Sequence, residues 1–359
     1  MIGFLSWLSS ELKLNSCDIF IAVTNKDLRK SNIQFNEWLN SDYGYIFYST
    51  YIFNFLPFRL LNQIRKKIKN VDILHANGIL YPVSLLSVLM AIILRTKVVW
   101  SVHGELDPEA LKYNSVVKLL YINVIRILLA KRVMWLSTCN AETTYIKKYF
   151  GENVRIAQIP ISMKLPKNLN LVKTNQFLYL GRIHPKKAIE NLILALSMSR
   201  TFLYSTYILN IVGNSDNEYG EQLKELVKRH SLDLRVNFLG LIQGESKLEL
   251  ICSSKYLIMP SHTENFGIVV IEALAQSTPV IASKGTPWNI LQSRQAGYWV
   301  DNDPESLSLV IDEVINHSDE NYNTLKTNAF NLADSKFNIE RNVIEWISLY
   351  NSVANETNT

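Results

Sequence analysis

The chain has 359 residues, 48% hydrophobic and 19% charged, a length that favours two domains at ~100–200 residues each. That apolar share excludes a disordered chain, and 13 glycines with 10 prolines exclude a collagen-like or linker-rich one. Three widely spaced cysteines (Cys17, Cys139 and Cys252) form no C-x-x-C, so neither a disulfide framework nor a zinc knuckle is expected, and a reducing compartment fits.

The net charge of +5 hides an asymmetry. Residues 1–165 carry 20 Lys and Arg against 11 Asp and Glu, and the remainder carries 17 against 21. Clusters such as Arg65-Lys66-Lys67-Ile68-Lys69 and Lys131-Arg132 suit an anionic lipid surface, at roughly 1 kcal/mol per cation near it. A solvated charged face is the plainer alternative, and charge counts alone do not separate lipid from nucleic acid.

Taken in chain order, Met1–Leu14 lacks the basic start of a signal peptide and carries Glu11, so it reads as the tail of an amphipathic helix. Strands are expected at Cys17–Thr24, Val71–His75 and Lys97–Val102, with helices at 55–68, 80–95, 114–131 and 140–150. The run Ile79–Leu94 is apolar but broken by Pro82, Ser84 and Ser87. It falls short of the ~20 residues of a membrane span and reads as a helix packed on a sheet. A strand near 154–160 precedes a polar stretch, 163–175, which is the expected domain boundary.

The second half repeats the scheme. Strands are expected at Gln176–Leu180, Tyr207–Val212, Val236–Leu239, Tyr256–Pro260 and Pro279–Ala282. Helices are expected near 188–199, 218–231, 245–252, 267–277, 288–294, 304–317 and 320–334, with a last amphipathic one at 339–353. Alternating strands and helices imply α/β layers with parallel sheets. The expectation is two doubly wound Rossmann-like domains facing a cleft, residues 1–165 and 166–338, with the final helix free to return to the first. A doubly wound domain normally opens with a strand and a tight glycine turn; this chain opens in a helix. Either a first strand is lost through a late start site or the domain is pared down.

Two segments carry chemistry. In Tyr256–Pro287 a buried strand runs to Pro260, a polar loop holds Ser261–Asn265, and an almost wholly apolar helix starts near Gly267. The first amides of such a helix are unpaired and carry about half a positive charge, which suits an anion. Gly267 permits close backbone approach. Glu272 is the only charged side chain within the helix and needs a polar partner; a neighbouring Lys or Arg would serve as well as a ligand. Glu264 lies just before the helix.

In the second segment, residues 177–196, Gly181 and Arg182 end a strand and Lys186-Lys187 stand at the start of the next helix. Cations at a helix N-terminus oppose its dipole unless they jointly hold an anion, and an Arg fork matches phosphate oxygens. A basic surface loop is the plain alternative. Together the segments offer Arg, Lys and bare amides around one anion, flanked by carboxylates that accept from hydroxyls. Diphosphate and sugar fit that inventory.

Gly181-Arg182 with Lys187, Glu264-Asn265-Phe266-Gly267 with Glu272, and Ser277–Ala282 together resemble the retaining glycosyltransferases of family four, which have the two-Rossmann GT-B fold. The resemblance covers most of 70–350 and is strongest in the C-terminal half. It implies that Arg182 and Lys187 hold the donor diphosphate with the amides of Phe266, Gly267 and Ile268, that Glu264 and Asn265 contact the transferred sugar, and that Glu272 takes the ribose hydroxyls. Gly240, Leu241 and Ile242 would line the base. Residues 72–82 and 101–111 resemble acceptor-domain segments and place His103 as an active-site histidine, ahead of His75, His184 and His262. Three departures stand out: the missing opening strand and glycine loop, Ala188 where glycine usually follows the lysine, and Pro160-Ile161-Ser162 in place of P-N-G.

The implied activity is retaining sugar transfer from a UDP- or GDP-linked donor to a glycan or polyprenyl-diphosphate-linked acceptor, in bacterial surface polysaccharide synthesis. No cofactor and no metal are expected, since no His/Asp cluster with ligand spacing is present, and no nucleic-acid partner. The expected location is cytoplasmic, peripheral at the inner face of the membrane. Two alternatives stay open: an epimerase or hydrolase on the same fold, and a catalytically silent sugar-nucleotide binder.

Overall fold

Short runs of β-branched and aromatic residues become interior parallel strands only where helices cover both faces, and the chain builds two such arrangements. A computed structural model describes residues 2–24, 34–50, 57–112, 115–264 and 266–356. The chain divides into two units, Met1–Met163 with Ile339–Thr359, and Lys164–Asn338.

In the first unit, helix α1 (Ile2–Leu14) leads to β1 (Phe20–Thr24), then to β2 (Trp38–Ser41) and β3 (Gly44–Ser49). β1 pairs with β3 in parallel and β2 with β3 antiparallel. The β2–β3 hairpin was not expected from sequence, because its strands are short and polar residues interrupt the alternation. Its turn needs Gly44, at φ +110°, where a Cβ would lie 2.5 Å from the Ile19 carbonyl oxygen. A second sheet runs β4 (Ile73–Asn77), β5 (Lys97–Ser101), β6 (Met134–Ser137) and β7 (Arg155–Gln158), all parallel. No strand is expected at β6 from sequence.

Helices α2 (Phe58–Ile68), α3 (Pro82–Ile93), α4 (Pro108–Lys112), α5 (Ser115–Leu128) and α6 (Asn140–Phe150) connect these strands. Pro82 begins α3 at a position where the missing N–H costs nothing. One core joins the two sheets: Phe47 of β3 belongs to the same buried cluster as Trp100 of β5, Trp135 of β6 and Leu60 of α2. Trp135 stacks between Trp100 and Phe150 at ring separations of 5.3 and 4.1 Å.

The second unit is a six-stranded, wholly parallel sheet: β8 (Thr174–Leu180), β9 (Ile208–Val212), β10 (Val236–Phe238), β11 (Ser254–Met259), β12 (Val280–Ser283) and β13 (Gly297–Val300). The spatial order is β10-β9-β8-β11-β12-β13. Strand order reverses between β8 and β11, which is the topological switch point of a doubly wound sheet. Helices α7 (Ile189–Met198), α8 (Arg200–Tyr204), α9 (Glu218–Arg229), α10 (Gly244–Ser253), α11 (Ile268–Ala275), α12 (Ile290–Ser293), α13 (Pro304–Ile315) and α14 (Asp319–Leu332) cover it. Alternate residues Phe177 and Tyr179, Leu209 and Ile211, and Tyr256 and Ile258 point into one core with α7, α9 and α13. Local signals start the helices: Asn217 caps α9 through Gly220 N–H, and Asp303 caps α13 through Ser306 N–H with Pro304 next.

The last helix, α15 (Ile339–Ala354), belongs to the first unit. Its Val343, Trp346 and Leu349 join Phe4, Leu8 and Leu12 of α1 over Val99 and Leu136. Two parallel-sheet units of this kind are the GT-B class of α/β fold.

Candidate functional site

In open parallel sheets ligands bind beyond the carboxyl ends of the strands, at the switch point. Here the loops after β8 and β11 meet at that point. Gly181 closes β8, and its carbonyl would lie 2.2 Å from any Cβ placed on Gly213, so the ends of β8 and β9 touch through bare backbone. Arg182 follows with its side chain exposed. Its carbonyl accepts from the Tyr179 hydroxyl at 2.8 Å, a phenol that burial holds well above its usual range and keeps protonated.

Residues Pro185–Lys187 form a single 3-10 turn, and α7 starts only at Ile189. Lys187 is thus not the first residue of the long helix; it stands on the turn that leads to it. Ala188 between them is buried and left-handed at φ +49°.

The loop after β11 crosses to this turn. His262 N–H donates to the Lys186 carbonyl at 3.0 Å, and the Lys187 ammonium ion-pairs with Glu264. Glu264 N–H donates to the Gly285 carbonyl at 3.0 Å, and a Cβ on Gly285 would lie 2.1 Å from the His262 oxygen. The Glu264 backbone is therefore clamped between two chain segments. His262 itself pairs with Asn302 at 2.8 Å and is half exposed.

Asn265 lies outside the described residues. Phe266 is buried against Trp288, whose indole N–H donates to the Phe266 carbonyl. Gly267, at φ +80°, precedes α11 with no side-chain cap, and a Cβ there would meet the Met259 methyl at 2.7 Å. The amides of Ile268 and its neighbours are the orphan donors of a helix start. Glu272, one turn in, ion-pairs with Lys247 of α10 at 2.6 Å. That answers its need for a partner within the protein. Lys247 was not picked out in the sequence, because it is 25 residues away on another helix.

After β10, Gly240 adopts φ +68° and its carbonyl accepts from Gly213 N–H at 2.8 Å. Leu241 is exposed and Ile242 half-buried, an apolar ledge beside the ends of β9 and β8.

The first unit has its own polar cluster at the ends of β4 and β5. His103 is left-handed at φ +47°, unusual for a residue with a side chain. Its Nε2–H donates to Asn77 Oδ1 at 2.8 Å. Burial pushes its pKa down to about 4. His75 shares hydrogen bonds with the Tyr350 hydroxyl at 2.8 Å and Ser101 Oγ at 2.7 Å, and burial with the His103 charge lowers it to about 3. Glu105 accepts from the Ile79 and Leu80 amides at 2.5 and 2.9 Å; burial raises its pKa and these bonds pull it back. Asn77 and Glu105 carry no sequence signal, being isolated polar residues at or after strand ends; Tyr350 belongs to the last amphipathic helix, α15.

Residues 163–332 match the family glycosyl transferases group 1. An uncharacterized glycosyltransferase of Methanocaldococcus jannaschii is 33% identical over 140 residues, 38% of this chain and 35% of that protein. The D-inositol 3-phosphate glycosyltransferase of Streptomyces avermitilis is 30% identical over 142 residues, 37% of this chain and 31% of that protein. The chain thus matches about a third of the length of these curated relatives. Among solved structures, sucrose-phosphate synthase from Thermosynechococcus elongatus superposes with TM-score 0.71 at 20% identity, covering 96% of this chain and 91% of that one. HepE of Anabaena, crystallised with UDP and glucose, gives TM-score 0.67 at 19% identity over 87% of each chain.

Proposed function

The chain carries over residues 163–332 a domain of the glycosyl transferases group 1 family, and from that premise we propose that it transfers a sugar, with retained anomeric configuration, from a nucleotide diphosphate to a glycan or lipid-linked acceptor. The observation that carries the reading is the meeting of Lys187 and Glu264 at the β8–β11 switch point, beside the uncapped start of α11. A cation, an exposed guanidinium at Arg182 and free helix amides suit a diphosphate, and the carboxylates of Glu264 and Glu272 suit sugar and ribose hydroxyls. That a bound UDP is named for HepE supports a nucleoside diphosphate here.

On this reading the diphosphate draws Lys187 away from Glu264, which frees the carboxylate for the sugar hydroxyls. Arg182, Lys187 and the Phe266–Ile268 amides stabilise the charge that develops on the leaving phosphate, the electrostatic task that usually contributes most to catalysis. The bond from the anomeric carbon to the phosphate oxygen breaks while that from the acceptor oxygen forms on the same face. The acceptor's proton passes to the departing phosphate. The protein's own cations do this work, so no metal is required. His103, neutral at physiological pH, offers an acceptor hydroxyl a hydrogen bond without adding charge. Leu241 and Ile242 line the base.

A cytoplasmic role in surface polysaccharide synthesis is the proposed setting; one similar protein is described from a cps region of Klebsiella pneumoniae. The test is a panel of nucleotide sugars in calorimetry, followed by NMR of the product. Binding of one donor and an unchanged anomeric configuration are expected; an inverted product overturns the retaining reading. Release of free sugar or an epimer without any acceptor would favour the hydrolase or epimerase alternative.

A further inference from the structure

Helix α5, SVVKLLYINVIRIL, is apolar almost all round, a composition normally reserved for helices buried on every side. Only one stripe of it is buried, Ile122 and Ile125, continuing to Leu129 just past its end. The opposite surface exposes Val116, Val117, Leu120, Val124, Ile127 and Leu128, with Ile127 80% exposed. Beside it the end of α3 exposes Ile93 at 76%, and a shallow groove between the two helix ends is lined by Ile93, Ile127, Leu128 and Lys131. Scattered single apolar residues on a surface are ordinary; a contiguous apolar face of this extent with a polar border marks an interaction site.

The charged residues that line the groove, Arg126, Lys131 and Arg132, are all of one sign. No Asp or Glu occurs between residues 73 and 104 or between 110 and 141, while those stretches hold seven Lys and Arg. Arg126, Lys131 and Arg132 are exposed, as is Arg95 just past α3, and none of the four makes an ion pair among the described residues. With 14 residues, α5 is about 21 Å long, short of the ~30 Å hydrocarbon core. No described helix is long and apolar enough to cross a membrane.

We propose that this face, α5 with the end of α3, docks the first unit on an anionic lipid bilayer. Leu120, Val124, Ile127 and Ile93 enter the headgroup boundary, and Arg126, Lys131 and Arg132 meet lipid phosphates. A helix with apolar side chains on one face and flanking cations, lying in the interface plane, is how peripheral proteins bind without spanning. Charge complementarity selects this occupant over a second copy of the chain, since two such faces would bring like charges together. The inference deepens the lipid-linked acceptor reading above, because such an acceptor would be met at the same surface.

The test is co-sedimentation of the full chain with vesicles of phosphatidylglycerol and phosphatidylethanolamine, with phosphatidylcholine vesicles as the neutral control. Binding to the anionic vesicles alone is expected, weakened by about 0.5 M salt. A Val117→Ser, Leu120→Ser, Ile127→Ser variant is expected to lose about tenfold or more in partitioning, and Arg126→Gln, Lys131→Gln, Arg132→Gln a comparable amount. Should the triple serine chain misfold, Ile127→Glu alone gives the same reading. Absence of vesicle binding by the unaltered chain, or binding indifferent to these changes, overturns the proposal. A dimer that the serine changes disperse, without vesicle binding, also overturns it and assigns the face to self-association. Vesicle binding needs no donor or turnover, so failure to bind a nucleotide sugar would sink the catalytic reading and leave this one standing.

Discussion

Beyond the carboxyl ends of β8 and β11 charged side chains are held in pairs, Lys187 with Glu264 and, one turn into α11, Glu272 with Lys247 of α10. At the carboxyl ends of β4 and β5 the corresponding positions are held by histidines that burial keeps neutral, bonded to Asn77, Ser101 and Tyr350. The same class of strand end thus carries two kinds of chemistry. Charges that remain partly solvated can be traded for those of a ligand at modest cost. Groups desolvated without a counter-ion give up their charge instead and act through hydrogen bonds alone.

The strongest way to break this comparison is to remove the charged side. Lys187→Ala is expected to lower turnover by about 10²–10³-fold, the cost of deleting one donor to developing negative charge. Its circular dichroism should be unchanged; near-normal turnover in steady-state kinetics would refute the diphosphate role.

Acid probes the neutral side. His75 and His103 titrate in the folded chain near 3 and 4, against an ordinary value of 6.5. Between those values the unfolded chain binds protons that the folded chain refuses. Stability is therefore full above about pH 6.5 and falls as pH drops towards 4, by at most about 1.4 kcal/mol per pH unit for each histidine. Melting scans between pH 7 and pH 4.5 should show the fall, and His75→Gln should remove roughly half of it, leaving the His103 share. A pH-independent melting temperature would mean that the histidines are not held neutral.

Glu272→Gln sharpens the comparison within the charged side. If the carboxylate takes ribose hydroxyls, donor KM should rise about tenfold with kcat little changed, as for the loss of a charged hydrogen bond. A lower melting temperature with unchanged KM would leave only the ion pair to Lys247.

The smallest effect is expected at Ala188. A left-handed alanine costs about 1–2 kcal/mol of backbone strain, while its buried methyl contributes about 0.8 kcal/mol. Ala188→Gly should therefore change stability in urea by no more than about 1 kcal/mol; a large loss would mean that the methyl packs more tightly than its burial indicates.

Much of the second unit was legible in the chain itself. Runs such as FLYL and YLIM followed by Gly181 or Pro260 mark buried parallel strands and their ends, and α11 announces itself by an apolar run that tolerates one charge. The helices expected at 140–150, 304–317 and 339–353 are found at Asn140–Phe150, Pro304–Ile315 and Ile339–Ala354. Not every short element is legible: β2, β3, β6 and β13 carry no expectation, while β7, β10 and β12, of three or four residues, do. At that length hydrophobic alternation cannot be told from chance, and cross-strand partners decide.

The sequence alone determined which residues carry charge, where the apolar periods lie and which glycines stand at strand ends, because these depend on neighbours a few positions away. Only the tertiary structure decided what each charge meets. Lys187 and Glu264 are 77 residues apart, His75 and Tyr350 275 apart, and α5 keeps an apolar face that nothing in its own pattern says is left uncovered. Pairing across such distances is set by sheet order and helix packing, and those emerge only when the whole core closes.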